Sequence, residues 1–198
     1  RDYNRNVEWS LDPDVFVSLC HVFGHPDIDL FASRLNNKLP LYYSWKPDPG
    51  ASGVNALSIS WEIVFGYAFP PFNLINRVLS KLEYESGSVI LICPYWPSQP
   101  WFVHLCELLV DVPVLLPPLR SLLRCPVQPS QSHPLLPQMR LIACKLSRMP
   151  SLQEEFHQKP STSLRPAGSH QRRARTHRSS AAGCSFVTSR GLITAVPL

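Results

Sequence analysis

Four short runs of the 198-residue chain carry side chains and spacings suited to holding a ligand or touching a reacting group. Asp29 stands in the apolar run Asp27-Ile28-Asp29-Leu30-Phe31, close to where a strand would end. A carboxylate there can accept hydrogen bonds from a ribose or an amine at a sheet edge, or it can remain a solvated strand end or cap the next turn. Phe69-Pro70-Pro71-Phe72 closes a second apolar run. Two successive prolines fix φ at about −65° and remove both N–H donors, so their carbonyls are held rigidly at a rim while Phe72 offers a flat ring for stacking. The plainer reading is a strand stopped by prolines between two core phenylalanines. Tyr95-Trp96-Pro97-Ser98-Gln99-Pro100-Trp101-Phe102 interleaves rings with prolines and a glutamine, which suits a base-stacking platform with Trp96 as its exposed ring. Equally, Trp101 and Phe102 can pack a following helix onto a sheet. Last, the basic run from His170 to Arg178, with Arg172, Arg173 and Arg175 near its middle, either neutralises phosphates regardless of sequence or is a solvated tail.

Other chemistries are poorly served. The six cysteines are scattered without a C-x-x-C pair, and neither Cys20-His21 with His25 nor His104-x-Cys106 has the paired spacing of a structural zinc site. Neither a disulfide framework nor a metal centre is expected. No recognisable set of spaced carboxylates suits a metal-dependent polymerase or nuclease. No apolar run approaches the ~20 residues of a membrane span, and the start, Arg1 to Asn6, has no signal-peptide core. The expectation is a soluble intracellular protein, nuclear or cytoplasmic, neither secreted nor membrane-bound.

The elements that must position these runs follow from periodicity. Asp12 as cap, Pro13 at the first helical position, apolar residues at Val15, Phe16, Leu19, Cys20 and Phe23, and Gly24 as stop predict a helix. Strands are predicted over 27–31, 63–69, 88–93 and 113–116, with helices from Asn73 to Gly87 and from Pro100 to Val110. Strand–helix alternation of this kind implies an α/β fold with a parallel sheet, whose ligands sit beyond the carboxyl ends of the strands. Charge suggests where the domain stops. Residues 1–118 hold 7 Lys/Arg against 12 Asp/Glu, net −5, whereas 119–198 hold 12 against 2, net +10, in proline-rich and basic sequence. The expected organisation is an N-terminal linker over 1–11, an α/β domain over 12–118 and a mostly disordered tail over 119–198.

Asp29-Leu30-Phe31-Ala32-Ser33, followed about 40 residues later by Phe69-Pro70-Pro71-Phe72, resembles the phage-type (Dam-like) DNA N6-adenine methyltransferases. Their pattern is an Asp-x-x-Ala motif at a strand end, then an Asn/Asp-Pro-Pro-Tyr/Phe motif. Asn36, Asn55-Ala56-Leu57 and Trp61 also fit. The likeness is closer to the methyltransferase-like segment of DIRS-type retrotransposon polyproteins. Runs similar to Glu8-Trp9-Ser10-Leu11, 29–35, Ser44 to Gly50, 67–72 and Pro97 to Phe102 recur there in this order, and the match covers roughly residues 8–118. Residues 136–198 resemble the connector that precedes the tyrosine recombinase, and Arg1 would follow the reverse transcriptase and ribonuclease H.

The resemblance implies a small Rossmann-like fold. It implies S-adenosylmethionine as cofactor, bound around Asp29, Phe31 and Ala32, and a catalytic segment at Phe69, Pro70, Pro71 and Phe72. It implies DNA as partner, beside the rest of the polyprotein. Methylating an exocyclic amine needs the base out of its helix and acceptors for the amine hydrogens. The family motif supplies them from its first side chain and the following proline carbonyl. Phe69 has no side-chain acceptor, a loss of on the order of a hundredfold in rate unless Asn73 substitutes. No glycine-rich turn follows the first strand. The leading expectation is therefore adenine N6 methylation or a degenerate version of it. The alternatives are a non-catalytic nucleic-acid-binding connector, with contacts at Trp96, Arg172, Arg173 and Arg175, and a decayed reading frame.

Overall fold

The computed structural model describes residues 9–148. In chain order the elements are β1 (Ser10–Leu11), α1 (Pro13–Phe23), β2 (Ile28–Asp29), β3 (Tyr43–Ser44), β4 (Gly53–Val54), β5 (Phe65–Ala68), α2 (Ile75–Tyr84), β6 (Ser88–Pro94), α3 (Trp101–Glu107), β7 (Val114–Leu115), β8 (Leu123–Arg124) and β9 (Leu141–Ser147). Five strands form the main sheet in the order β2-β5-β6-β9-β7, and two small pairs, β1 with β8 and β3 with β4, flank it.

Local chemistry accounts for the helices. Asp12 accepts the Asp14 and Val15 N–H groups, Pro13 opens α1, and Gly24 ends it at φ 96°, where a side chain would be strained. The α1 stripe Val15, Phe16, Leu19, Cys20 and Phe23 is buried on one face of the sheet with Tyr67, Ile90 and Ile92. On the other face α2 (Ile75, Val78, Leu79, Leu82) and α3 (Phe102, Leu105) cover Val89, Leu91 and Cys93. β6 is thus apolar on both faces because helices cover both. Ile63, expected inside a strand, is instead a 96% exposed turn residue at φ 57°, a region that β-branched side chains rarely occupy.

The expected parallel sheet is only half right. β2, β5 and β6 are parallel, but β9 enters antiparallel between β6 and β7, paired with β6 from Ser88↔Ser147 to Pro94↔Leu141. The boundary after Pro118 fails for the same reason. β9 and β8 belong to the α/β domain, and β8 holds β1, whose Leu11 is fully buried, so residues 10–11 are not linker either. Burial explains the outcome: Leu141, Ile142, Ala143, Cys144 and Leu146 are all within the core, each large side chain worth roughly 1.5–3 kcal/mol. Lys145 interrupts the run without harm, since its Nζ donates to the Phe23 carbonyl at 2.7 Å and lies over the Phe65 ring. Redrawing the domain changes its charge. Residues 9–148 hold 10 Lys/Arg and 10 Asp/Glu, net zero, and 149–198 hold 7 against 2. Among the described residues no helix is long and apolar enough to cross a membrane.

Candidate functional site

The registers Asp29↔Tyr67 and Ala68↔Leu91 bring the carboxyl ends of β2, β5 and β6 side by side. The loops leaving these strands carry Asp29 to Ala32, Phe69 to Phe72, and Tyr95 with Trp96, so three runs far apart in sequence meet at one end of the sheet. Gly66 permits the junction, because a Cβ there would lie 2.5 Å from Leu30 Cδ1.

Asp29 is 2% exposed. Its Oδ1 accepts the Phe31 N–H at 3.3 Å and its Oδ2 the Lys38 N–H at 3.0 Å. Burial pushes its carboxyl up to about 6, against the pull of those two N–H groups and of the Lys38 ammonium. Burial likewise holds the Lys38 ammonium below its ordinary range, opposed by Asp29. Ala32 is buried and its N–H donates to the Tyr43 carbonyl, while Phe31 is half-buried against the α2–α3 side. The carboxylate therefore staples its own loop, the turn-capping alternative of the two uses its sequence position allowed.

Beside it on the sheet, Tyr67 is 2% exposed, its ring edge-on to Phe16 at 5.0 Å, and its buried hydroxyl has no hydrogen-bond partner. Burial, then the neighbouring Asp29 and Cys20, push that hydroxyl well above its usual range. Sequence reasoning missed Tyr67 and could have found it only as a polar tip inside the apolar run 63–69.

The proline segment is laid out differently. Phe69 is half-buried against the α1 side, Pro70 is buried and Pro71 is exposed. Pro71 caps a 3-10 turn over Phe72–Leu74, its carbonyl accepting the Leu74 N–H at 2.8 Å while the Phe72 carbonyl accepts the Ile75 N–H. The Pro70 carbonyl takes neither of these bonds. Asn73 is exposed within the turn. Phe72 packs against both core clusters and meets Trp96 edge to face, with ring centroids 5.6 Å apart at 79°. Trp96 is half-buried rather than freely exposed; its neighbour Tyr95 meets Phe102 at 5.7 Å. The alternative roles of Trp101 and Phe102 resolve toward packing, with Phe102 8% exposed on the core-facing side of α3.

Among the described residues no three His, Cys, Asp or Glu side chains are grouped to hold a metal ion. Arg172, Arg173 and Arg175 lie outside the described residues. The geometry offers a set of aromatic edges above the parallel strands and, next to it, a carboxylate already committed to the backbone. No protein-family model matches the chain, and no curated protein matches it.

Proposed function

We propose that residues 9–148 are a degenerate methyltransferase-like domain of a DIRS-type retrotransposon polyprotein, which keeps the base-holding half of an adenine N6 methyltransferase site and has lost methyl transfer. The observation that carries this reading is the junction of the Asp29 and Phe69–Phe72 segments on adjacent parallel strands, the place where an α/β sheet binds its ligand. The degenerate part rests on three features. Phe69 has no acceptor for an amine hydrogen, no glycine-rich turn follows β2, and both Asp29 oxygens are engaged by Phe31 and Lys38.

S-adenosylmethionine does not fit these residues as they stand, since Asp29 is sealed and Ala32 is buried against Tyr43. Phe72 and Trp96 remain for a nucleobase, by stacking that tolerates any base. The partners are then DNA and the remainder of the polyprotein, reverse transcriptase and ribonuclease H before this domain and tyrosine recombinase after it. A connector without a base site is the second reading, favoured by the sealed carboxylate.

Titration of the full chain with S-adenosylmethionine by calorimetry, beside binding of adenine-containing DNA by wild type and Phe72→Ala, tests the proposal. The expected result is no saturable cofactor heat and weaker DNA binding in the variant. Saturable cofactor binding with methyl transfer to adenine overturns the degenerate reading, and DNA binding indifferent to Phe72 leaves the connector.

A further inference from the structure

Although residues 9–148 are neutral as a whole, their exposed charges are sorted along the strand direction, the half-buried Lys81, Lys145 and Arg148 lying apart from that sorting. The exposed bases Arg34, Lys46, Arg77, Arg120 and Arg140 sit where the chain is at the carboxyl end of the parallel strands, and a further exposed base, Arg124, is ion-paired with Asp12 at the start of α1. Arg34 is in the loop leaving β2. Lys46 follows β3, which runs parallel to β2 through the Asp29↔Tyr42 bridge. Arg77 is in the first turn of α2, Arg120 follows β7, and Arg140 precedes β9 with its carbonyl accepting the Tyr95 N–H at 2.8 Å. The exposed acids Asp27, Glu62, Glu83, Glu107 and Asp111 sit at the opposite end, before β2 and β5 or at the far ends of α2 and α3. Asp14, in the first turn of α1, is the exposed acid that departs from this sorting, and Asp48 is partly buried with its oxygens on the Arg34 and Gly50 N–H groups.

The positive end is also the aromatic end. Phe72 and Trp96 lie there, and Trp45, beside Lys46, is 65% exposed. A row of cations spread across the sheet, with flat rings among them, matches the two chemical faces of a nucleic acid. From β2 to β7 the row spans four strand spacings, roughly 19 Å, which is enough for several nucleotides. Rings set down among loops reach bases that are unstacked, whereas a paired duplex shows its phosphates and hides its ring faces.

We propose that the carboxyl end of the sheet binds a single-stranded nucleic acid, with Arg120 and Arg140 neutralising phosphates beside the Phe72–Trp96 rings. The proposal rests on the base site of the preceding reading but not on any cofactor. It adds the phosphate contacts and the preference for a single strand. The far, acidic end of the domain repels the same polymer and so orients its approach.

The test is anisotropy of the full chain with labelled single strands of about 12 nucleotides, as DNA and as RNA, against a hairpin duplex, over a range of salt. Either single strand satisfies the proposal, because phosphates and ring faces are common to both. Arg120→Ala with Arg140→Ala should flatten the log–log salt slope by about 1.4, two single-strand phosphate contacts. Trp96→Ala should weaken binding about tenfold with the slope unchanged. Both effects should persist when Arg172, Arg173 and Arg175 are replaced by alanine, which separates the domain from the basic run. An unchanged slope in the double arginine variant, with its thermal midpoint intact, overturns the phosphate assignment; if Trp96→Ala still weakens binding, the base site stands without it. A duplex bound as tightly as the single strands overturns the single-strand preference. Loss of all binding in the basic-run variant overturns the interface itself.

Discussion

Neighbouring strands carry the two halves of the carboxyl-end site, β2 the first and β5 with β6 the second, and their chemistry is opposite. After β2, polar groups are consumed locally: Asp29 takes the Phe31 and Lys38 N–H groups, Asn36 Oδ1 takes the Ser33 N–H, and Asp48 takes the Arg34 N–H. After β5 and β6, the loops are proline and aromatic, with few side-chain polar atoms to satisfy, and the rings meet one another at their edges. The first half is a closed polar knot and the second an open apolar rim. A motif match in both halves therefore does not mean that both bind: a carboxylate 2% exposed, with each oxygen on a backbone N–H, offers little to a ligand, whereas a ring edge loses nothing by remaining available.

The comparison is broken most thoroughly by removing what supports both halves. A chain ended after Pro118 lacks β8 and β9, leaving the β9-facing edge of β6 unpaired along seven residues and the α1 side without Leu141, Ala143 and the β1 anchor. Such a loss rivals the ~5–15 kcal/mol total stability of a domain. We expect no cooperative urea transition from it, whereas a chain ended after Arg148 keeps one; a folded 1–118 fragment would show that β9 is dispensable.

The next largest effect concerns the knot alone. Burial raises the Asp29 carboxyl from an ordinary 3.8 to about 6, so between those values the folded protein holds a proton that the unfolded chain has released. The contribution of this group to stability is then fully present below 3.8 and is lost as pH rises through 6, about 3 kcal/mol in all, opposite in sign to that of Asp12 and Glu85, whose carboxyls are held low. Asp29→Asn removes that slope. Urea unfolding of both proteins from pH 3.8 to 6 gives a difference curve in which the other carboxylates cancel. A flat difference would mean that the carboxylate is well solvated and available to a ligand after all.

A smaller effect is expected where the halves touch. Gly66→Ala places a methyl 2.5 Å from Leu30 Cδ1 and 3.0 Å from its Cγ, so the knot must shift away from β5. Leu30 is 1% exposed and has little room, and overpacking of this kind costs about 1–3 kcal/mol. Chemical denaturation measures it. Asp29 should lose its raised pH response in the same variant if the knot opens, and a Leu30 rotamer change that absorbs the methyl would leave both readouts as in wild type.

What was legible in the sequence divides along similar physical lines. α1 could be read to the residue because its signals are local: Asp12, Pro13 and Gly24 each act within one turn of themselves. The α2 stripe and the β6 run were legible from periodicity and apolarity. β9 was not, since nothing within Leu141–Ser147 distinguishes a central strand from an apolar patch past a proline-rich stretch, and its pairing with β6 is made wholly by tertiary contact. The net charge of the second half also misled, because 5 of its 12 basic residues lie before Met149, in the folded domain. The convergence of Asp29 with Phe69–Phe72 followed from strand order, but the sealing of Asp29 did not. It depends on the loop returning Lys38 to the strand end, which no spacing rule specifies.

The smallest effect sharpens the open half. Phe72 and Trp96 meet edge to face at 5.6 Å, a geometry worth about 0.5–1.5 kcal/mol beyond the area buried. A double-mutant cycle with Phe72→Leu and Trp96→Leu, read by denaturation, should return a coupling in that range, since leucine keeps the apolar contact and removes the ring quadrupole. Repeated in the presence of a saturating single-stranded oligonucleotide, the same cycle reports what the rings do when occupied. A base that stacks on either ring competes with their mutual contact, so the apparent coupling should fall toward zero in the complex. A coupling unchanged by the oligonucleotide would assign the pair to the core alone, and the open half of the site would then be a packing seam that only resembles a binding surface.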